Sequence, residues 1–170
     1  TLSMNATTPL SNLQYYKVTY NGQYYKPLGY DFIGLILANA GYGYGYGNTE
    51  DLPFFKNYYL GGGKSLRGFE EGSLGPRDSL GRPFGGNLLL NGTAALILPE
   101  FIGKESHSVR TALFLDFGQV YHYPTPTEHE GLSCNADGFR YSLGGSVTWL
   151  SPIGPLVLNV AYPLNAKKGD

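Results

Sequence analysis

Phe139-Arg140-Tyr141-Ser142-Leu143-Gly144-Gly145-Ser146-Val147-Thr148-Trp149 is the stretch that decides the fold. Its odd positions, Phe139, Tyr141, Leu143, Gly145, Val147 and Trp149, are apolar, aromatic or small. Its even positions, Arg140, Ser142, Gly144, Ser146 and Thr148, are polar or small. Side chains on an extended strand alternate between faces, so this pattern gives a strand with one apolar and one polar face. Working outward, Leu156, Leu158, Val160, Tyr162 and Leu164 form an apolar row interleaved with Val157, Asn159 and Ala161. On the other side, Val109, Thr111, Leu113, Leu115, Phe117 and Tyr121 share one face, and Ser108, Arg110, Asp116 and Gly118 share the other. Carried along the chain, the same reading predicts strands near residues 1–8, 13–25, 29–44, 85–99, 108–122, 137–150 and 155–165, with helix signals almost missing.

A soluble sandwich also alternates, with its apolar face turned inward. Two features favour a membrane barrel instead. Several runs far exceed the about 5–6 residues usual for globular strands, and a tilted strand crossing a bilayer needs roughly 9–11. The connections also differ in length by side. Lys26–Leu28 and Ser151–Gly154 read as tight turns and Pro99–His107 as a moderate one, while Gly45–Phe84 and His122–Ala136 are long. Short periplasmic turns opposite long extracellular loops are the outer-membrane arrangement, with the short Pro9–Asn12 link as the exception. Seven is an odd strand number, and Lys167-Lys168-Gly169-Asp170 reads as a hairpin loop without its returning strand. The expectation is therefore an all-β, antiparallel transmembrane barrel segment covering residues 1–170, with more strands beyond it.

Composition agrees. Of 170 residues only 15% are charged and the net charge is −1, which argues against a nucleic-acid partner. Glycine (25) and tyrosine (15) are abundant, as in strands that face lipid and carry aromatic girdles. Cys134 is the single cysteine, so no intrachain disulfide is possible. Gly41-Tyr42-Gly43-Tyr44-Gly45-Tyr46 reads as glycine alternating with outward tyrosine where a strand leaves the membrane. No apolar run long enough for a transmembrane helix occurs, and Thr1 reads as opening directly into strand-like sequence instead of a signal peptide.

Three other signals carry little. Gly61-Gly62-Gly63-Lys64-Ser65 invites a phosphate-loop reading, but that pattern needs glycine where Tyr58 stands. The glycines read better as tight turns. His122, His129 and Cys134, with Glu128 and Glu130, match no common metal spacing and read as solvated loop residues. No Ser-His-Asp or paired-carboxylate arrangement stands out, so no catalytic residue, metal or cofactor is expected.

Leu66-Arg67-Gly68-Phe69 resembles the (V/I/L)RG(F/Y) motif of a superfamily that holds the BamA family of outer-membrane protein assembly factors and the two-partner-secretion transporters. Pro53-Phe54-Phe55-Lys56-Asn57-Tyr58-Tyr59-Leu60-Gly61-Gly62 before it, and Gly72-Ser73-Leu74-Gly75-Pro76-Arg77-Asp78 and Gly85-Gly86-Asn87 after it, resemble the sixth extracellular loop of the BamA family. Ser108-Val109-Arg110-Thr111, Asp116-Phe117-Gly118 and Ser151-Pro152-Ile153-Gly154-Pro155-Leu156 resemble its later strands. The resemblance implies the ninth through fifteenth of sixteen strands, with loop six at about 45–84 folded back into the lumen. It implies that Arg67 meets an acidic inner-wall residue, here Asp116. The family's second acidic partner aligns with Ala95, which puts a two-carboxylate clamp in doubt; Glu100 lies nearby, in the predicted turn. The plain alternative is that Arg67 is a solvated loop residue.

The resemblance implies a non-enzymatic insertase of the bacterial outer membrane. Its partners would be the remainder of the barrel, upstream periplasmic domains, nascent outer-membrane proteins, accessory lipoproteins and membrane lipid. A secretion transporter of the same superfamily, or a passive porin or adhesin barrel, is the alternative.

Overall fold

The computed structural model describes residues 1–8, 10–49, 51–78, 80–99, 109–123 and 138–167. Seven antiparallel strands form one sheet in chain order: β1 Leu2–Ala6, β2 Tyr15–Gly29, β3 Phe32–Gly45, β4 Leu88–Ile97, β5 Val109–Tyr121, β6 Arg140–Ser151 and β7 Gly154–Pro163. Every strand pairs with its sequence neighbours, as a meander requires, and β1 and β7 are the sheet's two ends. One short 3-10 helix, Phe54–Lys56, lies in the long segment between β3 and β4. Glu100, His129, Cys134, Glu128 and Glu130 lie outside the described residues, as does the predicted loop at Lys168–Asp170.

The β2–β3 connection corrects the sequence reading. Lys26–Leu28 is not the turn. β2 runs on to Gly29, and Tyr30 and Asp31 make the bend with φ of 51° and 62°. Two successive positive φ values match the right-handed twist of a hairpin. Pro27 suggested the earlier stop because it lacks an N–H. The register slips between Pro27 and Gly29, and such an irregularity accommodates a residue that cannot donate to the ladder. The β6–β7 turn falls at Ser151–Gly154 as expected, with the Ser151 hydroxyl donating to the Gly154 carbonyl at 2.6 Å.

The two faces of the sheet differ sharply. Leu113, Leu115, Leu143, Val147, Leu156 and Leu158 share the outer face and are exposed, Leu158 at 73%. The buried apolar residues lie on the opposite side, where Leu60, Leu66, Phe69 and Leu74 of the β3–β4 loop cluster with Val120. A soluble sandwich would bury the first set. Large apolar side chains left uncovered along a whole sheet face are the pattern of strands solvated by lipid. Asp116, Arg140 and Ser142 share the inner face and are buried. Arg110 and Asn159 share that register but are exposed, because the long loop does not cover them.

The glycine–tyrosine tract is built for this two-sidedness. Tyr42 and Tyr44 point outward and pack against Tyr16 with tilted rings, at centroid distances of 6.2 and 6.3 Å. Gly41, Gly43 and Gly45 point inward and form a bare track on which the loop lies. A Cβ on Gly41 would overlap the Tyr58 ring, one on Gly43 would meet Leu52 Cδ2 at 2.8 Å, and one on Gly45 would strike the Asp51 backbone. The alternation was legible; the inward reason for glycine, close approach of another segment, was not.

Candidate functional site

The long loop between β3 and β4, called loop six below, is tied down in sequence order. Its start docks on β2: the Tyr58 hydroxyl meets the Thr19 hydroxyl at 2.8 Å and donates to the Val18 carbonyl at 3.1 Å. The Lys17 ammonium lies 3.7 Å over the Tyr58 ring and donates to the Lys56 carbonyl at 2.7 Å. A cation over an aromatic face gains from the ring quadrupole. Short bridges, Tyr58 with Gly86, Leu60 with Leu74 and Gly62 with Leu66, fold the loop on itself. Gly61 and Gly62 take φ of 117° and 92°, and Ser65 Oγ bonds both backbone groups of Gly61. The glycine run therefore makes a tight turn, with no βαβ unit around it.

That turn delivers Leu66-Arg67-Gly68-Phe69 to the inner wall. Leu66 is fully buried. Gly68, at φ 90°, reaches across to β7, where its missing Cβ would touch Ala161 Cβ at 3.4 Å. Arg67 sits on Asp116. Its Nε donates to Oδ2 at 2.7 Å and its Nη2 to Oδ1 at 2.8 Å, while its backbone N–H reaches Oδ2 at 3.3 Å. The planar guanidinium thus grips the carboxylate with two parallel bonds, the geometry in which arginine binds best. Asp116 is 0% exposed.

Three features of this clamp escaped sequence reasoning. The Thr93 hydroxyl donates to Asp116 Oδ1 at 2.7 Å from the directly opposite position on β4. The Arg67 guanidinium lies 3.2 Å from the centre of the Phe114 ring. Phe114 and Val120 are both buried on the face assigned as polar. The signal was present: two large apolar residues interrupt an otherwise polar register, which marks a patch covered by something other than lipid. Ala95 stands opposite Phe114 on the same inner face. The Ala95 side chain offers no oxygen, and Thr93, two residues along, supplies the further bond to Asp116.

The end of loop six is stitched to the strands by Asn87. Its side chain donates to the Tyr123 carbonyl and accepts from the Tyr123 N–H, both at 2.9 Å, while its carbonyl accepts from Gly43 N–H at 2.8 Å. One amide thereby extends the ladder between β3 and β5 above the end of β4. His122 corrects another expectation. Its side chain is fully buried, with Nε2 at 3.5 Å from Asp51 Oδ2 and the ring edge-on to Phe84, so it is not a solvated loop residue. It sits where β5 emerges beneath the loop, and the aromatic contact keeps water off it. Among the described residues no three His, Cys, Asp or Glu side chains gather as metal ligands.

At the exposed tip, Asp78 organises a small hairpin. Its Oδ1 accepts from the N–H groups of Leu80 and Arg82 at 2.9 and 2.8 Å, and Arg82 Nε donates to Oδ2 at 2.8 Å. The Arg82 N–H above all, aided by its side chain, the Leu80 N–H and the positive charge, holds this carboxyl below its usual range.

Comparison with known proteins agrees with this architecture. The model of the Omp85 superfamily domain matches residues 1–170. The outer membrane protein assembly factor BamA of Neisseria meningitidis serogroup B is 38% identical over 185 residues, covering 95% of this chain and 23% of that protein. The protein of the same name from Neorickettsia risticii is 32% identical over 106 residues, covering 62% of this chain and 14% of that protein. The chain thus spans a quarter or less of the length of these relatives. The crystal structure of BamA from Haemophilus ducreyi lacking POTRA domains 1-3 superposes with a TM-score of 0.84 at 30% identity, covering 99% of this chain and 35% of that one. A lipid-facing meander with an inward-folded loop, matched along its whole length by one domain model, leaves a single assignment: the chain belongs to the Omp85 superfamily.

Proposed function

We propose that this chain is the loop-six-bearing wall of a barrel that folds other β-barrel proteins and inserts them into the outer membrane, without nucleotide hydrolysis and without enzymatic chemistry. The Arg67–Asp116 clamp carries the reading. A passive pore gains nothing from filling its own lumen with a loop fixed by a buried ion pair. A barrel that must open between its strands without collapsing does gain, because loop six braces the wall from inside while the edges separate. Open strand edges template an incoming strand by backbone hydrogen bonding, which is β-augmentation carried out in a membrane.

In this reading the wall supplies support and the seam lies in strands that this segment borders. The remainder of the barrel closes on the β1 and β7 edges, since an unpaired edge in hydrocarbon costs several kcal/mol for each unsatisfied group. Nascent outer-membrane proteins are the clients, with periplasmic domains and accessory lipoproteins delivering them. The names of the relatives support assembly over secretion. The test is the full-length protein carrying Arg67→Ala in cells depleted of the native copy. The reading predicts lower levels of folded outer-membrane proteins at unchanged levels of the variant itself. Normal client levels with loop six demonstrably released would overturn it.

A further inference from the structure

The outer face of the sheet is not evenly filled. Between β2 and β5 lies a hollow of about 440 Å³, floored by Gly34 and Ala94 and walled by Tyr24, Ile36 and Leu115. These residues sit on adjacent cross-strand rows: Tyr24, Ile36, Ala94 and Leu115 align on one, and Lys26 and Gly34 on the next toward the short turns. The volume is that of an ordinary small-molecule cleft. Its lining is almost wholly hydrocarbon; the Tyr24 hydroxyl is neutral, and the one charged group is Lys26, which stands at the end near the Tyr30–Asp31 bend.

Lys26 is unusual in a second way. Following the strand register, it is the one charged residue at an outward position among the described strand residues. A lysine on a barrel's lipid face is costly at the midplane and nearly free at the interface. Three residues from the end of β2, its flexible stem can carry the ammonium to headgroup level. A lone cation at headgroup depth, at the mouth of an apolar trough that runs away from it into the membrane, has the polarity of a phospholipid: phosphate first, acyl chain after.

We infer that this hollow binds one glycerophospholipid of the leaflet facing the short turns, with an acyl chain in the trough over Gly34 and Ala94 and the phosphate on the Lys26 ammonium. The small residues create the trough and the lysine sets the direction in which it fills. The site depends on the wall alone and not on the insertase reading.

The test places the full-length protein in nanodiscs of phosphatidylethanolamine doped with a phosphatidylglycerol that carries a photoreactive diazirine midway along one acyl chain. After irradiation, adducts are mapped by mass spectrometry. Adducts should concentrate on the β4 and β5 peptides holding Ala94 and Leu115, over those holding Val147 and Leu158. Ala94→Phe, which fills the trough, should cut that labelling several-fold. Lys26→Gln should also cut it several-fold and Lys26→Arg should preserve it. Heat-resistant gel migration checks that each variant is folded, and Lys26→Gln keeps the test open should Ala94→Phe misfold. Adducts spread evenly over the outer face and indifferent to the variants would mean ordinary boundary lipid and overturn the inference. Labelling that Lys26→Gln leaves unchanged would overturn the phosphate contact on which it depends. The readout is lipid adducts, so failure here leaves client assembly untouched, and the reverse holds too.

Discussion

Replacing Arg67 with alanine removes the two guanidinium bonds to Asp116 and leaves a carboxylate with 0% exposure holding the Thr93 hydroxyl and a long backbone contact. Arg67 itself is 19% exposed at its side chain, so the pair is largely removed from water. Breaking such a pair from one side costs about 3–5 kcal/mol, most of it the price of the stranded charge. That corresponds to a shift on the order of 10²–10⁴-fold in the equilibrium between docked and released loop. The loop's own hydrogen bonds report it: Gly62 N–H to the Phe69 carbonyl and Leu74 N–H to the Leu60 carbonyl, both at 3.1 Å. Amide exchange at Gly62 and Leu74 in the detergent-solubilised full-length protein should accelerate by that factor. Exchange in β6 and β7 should hold. Adding Asp116→Asn to Arg67→Ala should recover part of the loss, because the neutral amide is cheaper to bury than an unpaired carboxylate. Unchanged exchange in Arg67→Ala would refute the argument. So would a double variant as labile as the sum of the two single ones, which would show the contact to be geometrically close and energetically idle.

Three further outcomes follow from the same structure. Gly41→Val should displace Tyr58 from Thr19 and Val18 and cost about 1–3 kcal/mol of barrel stability by overpacking; Gly145→Ala, whose Cβ meets nothing nearer than 3.8 Å, should be neutral in the same thermal melt. Leu115→Arg on the outer face should cost up to about 2–4 kcal/mol in reversible folding into vesicles, whereas Asn159→Arg on the uncovered inner face should be tolerated. Ionised Asp78 accepts its bonds from Leu80 and Arg82 more strongly than the neutral acid does, so this contribution to the order of the tip is complete above the ordinary carboxylate range and is lost as pH falls through the lowered native value. Faster exchange at Leu80 and Arg82 on acidification, abolished in Asp78→Asn, is the expected result.

Much of the wall was readable because a strand lined by lipid on one side cannot hide its period. Phe139–Trp149 alternates, and Leu156–Tyr162 and the outward row of β5 keep an unbroken row on one face, and the structure places them where the period puts them. The β2 turn was misplaced because Pro27 is a local signal, while the register slip beside it belongs to the pairing of β2 with β3, which no single residue shows. Loop six is harder for a similar reason. Arg67 and Asp116 are 49 residues apart and on different elements, and no periodicity links them. Their pairing was expected from family resemblance, and the structure sets them in contact. Thr93, Phe114 and His122 were missed because each matters only through what a folded loop lays against it. The inward glycines of the Gly-Tyr tract were seen as spacers between tyrosines, when their absent Cβ atoms make the bed for Tyr58 and Leu52.

The central claim is that loop six lies inside the lumen with its apex across the wall. Gly68 and Ala161 test it most directly, because a Cβ on Gly68 would stand 3.4 Å from Ala161 Cβ, close to disulfide spacing; since φ of 90° strains any side chain at residue 68, Gly68→Ala with unchanged heat-resistant gel migration is the control. Cysteines at both positions, with Cys134→Ser to remove the native thiol, should form a disulfide in the outer membrane under mild oxidation, giving a reductant-sensitive shift in gel mobility. A protein that stays reduced, with residue 68 freely labelled by a membrane-impermeant maleimide from outside the cell, would put loop six at the surface and contradict the account.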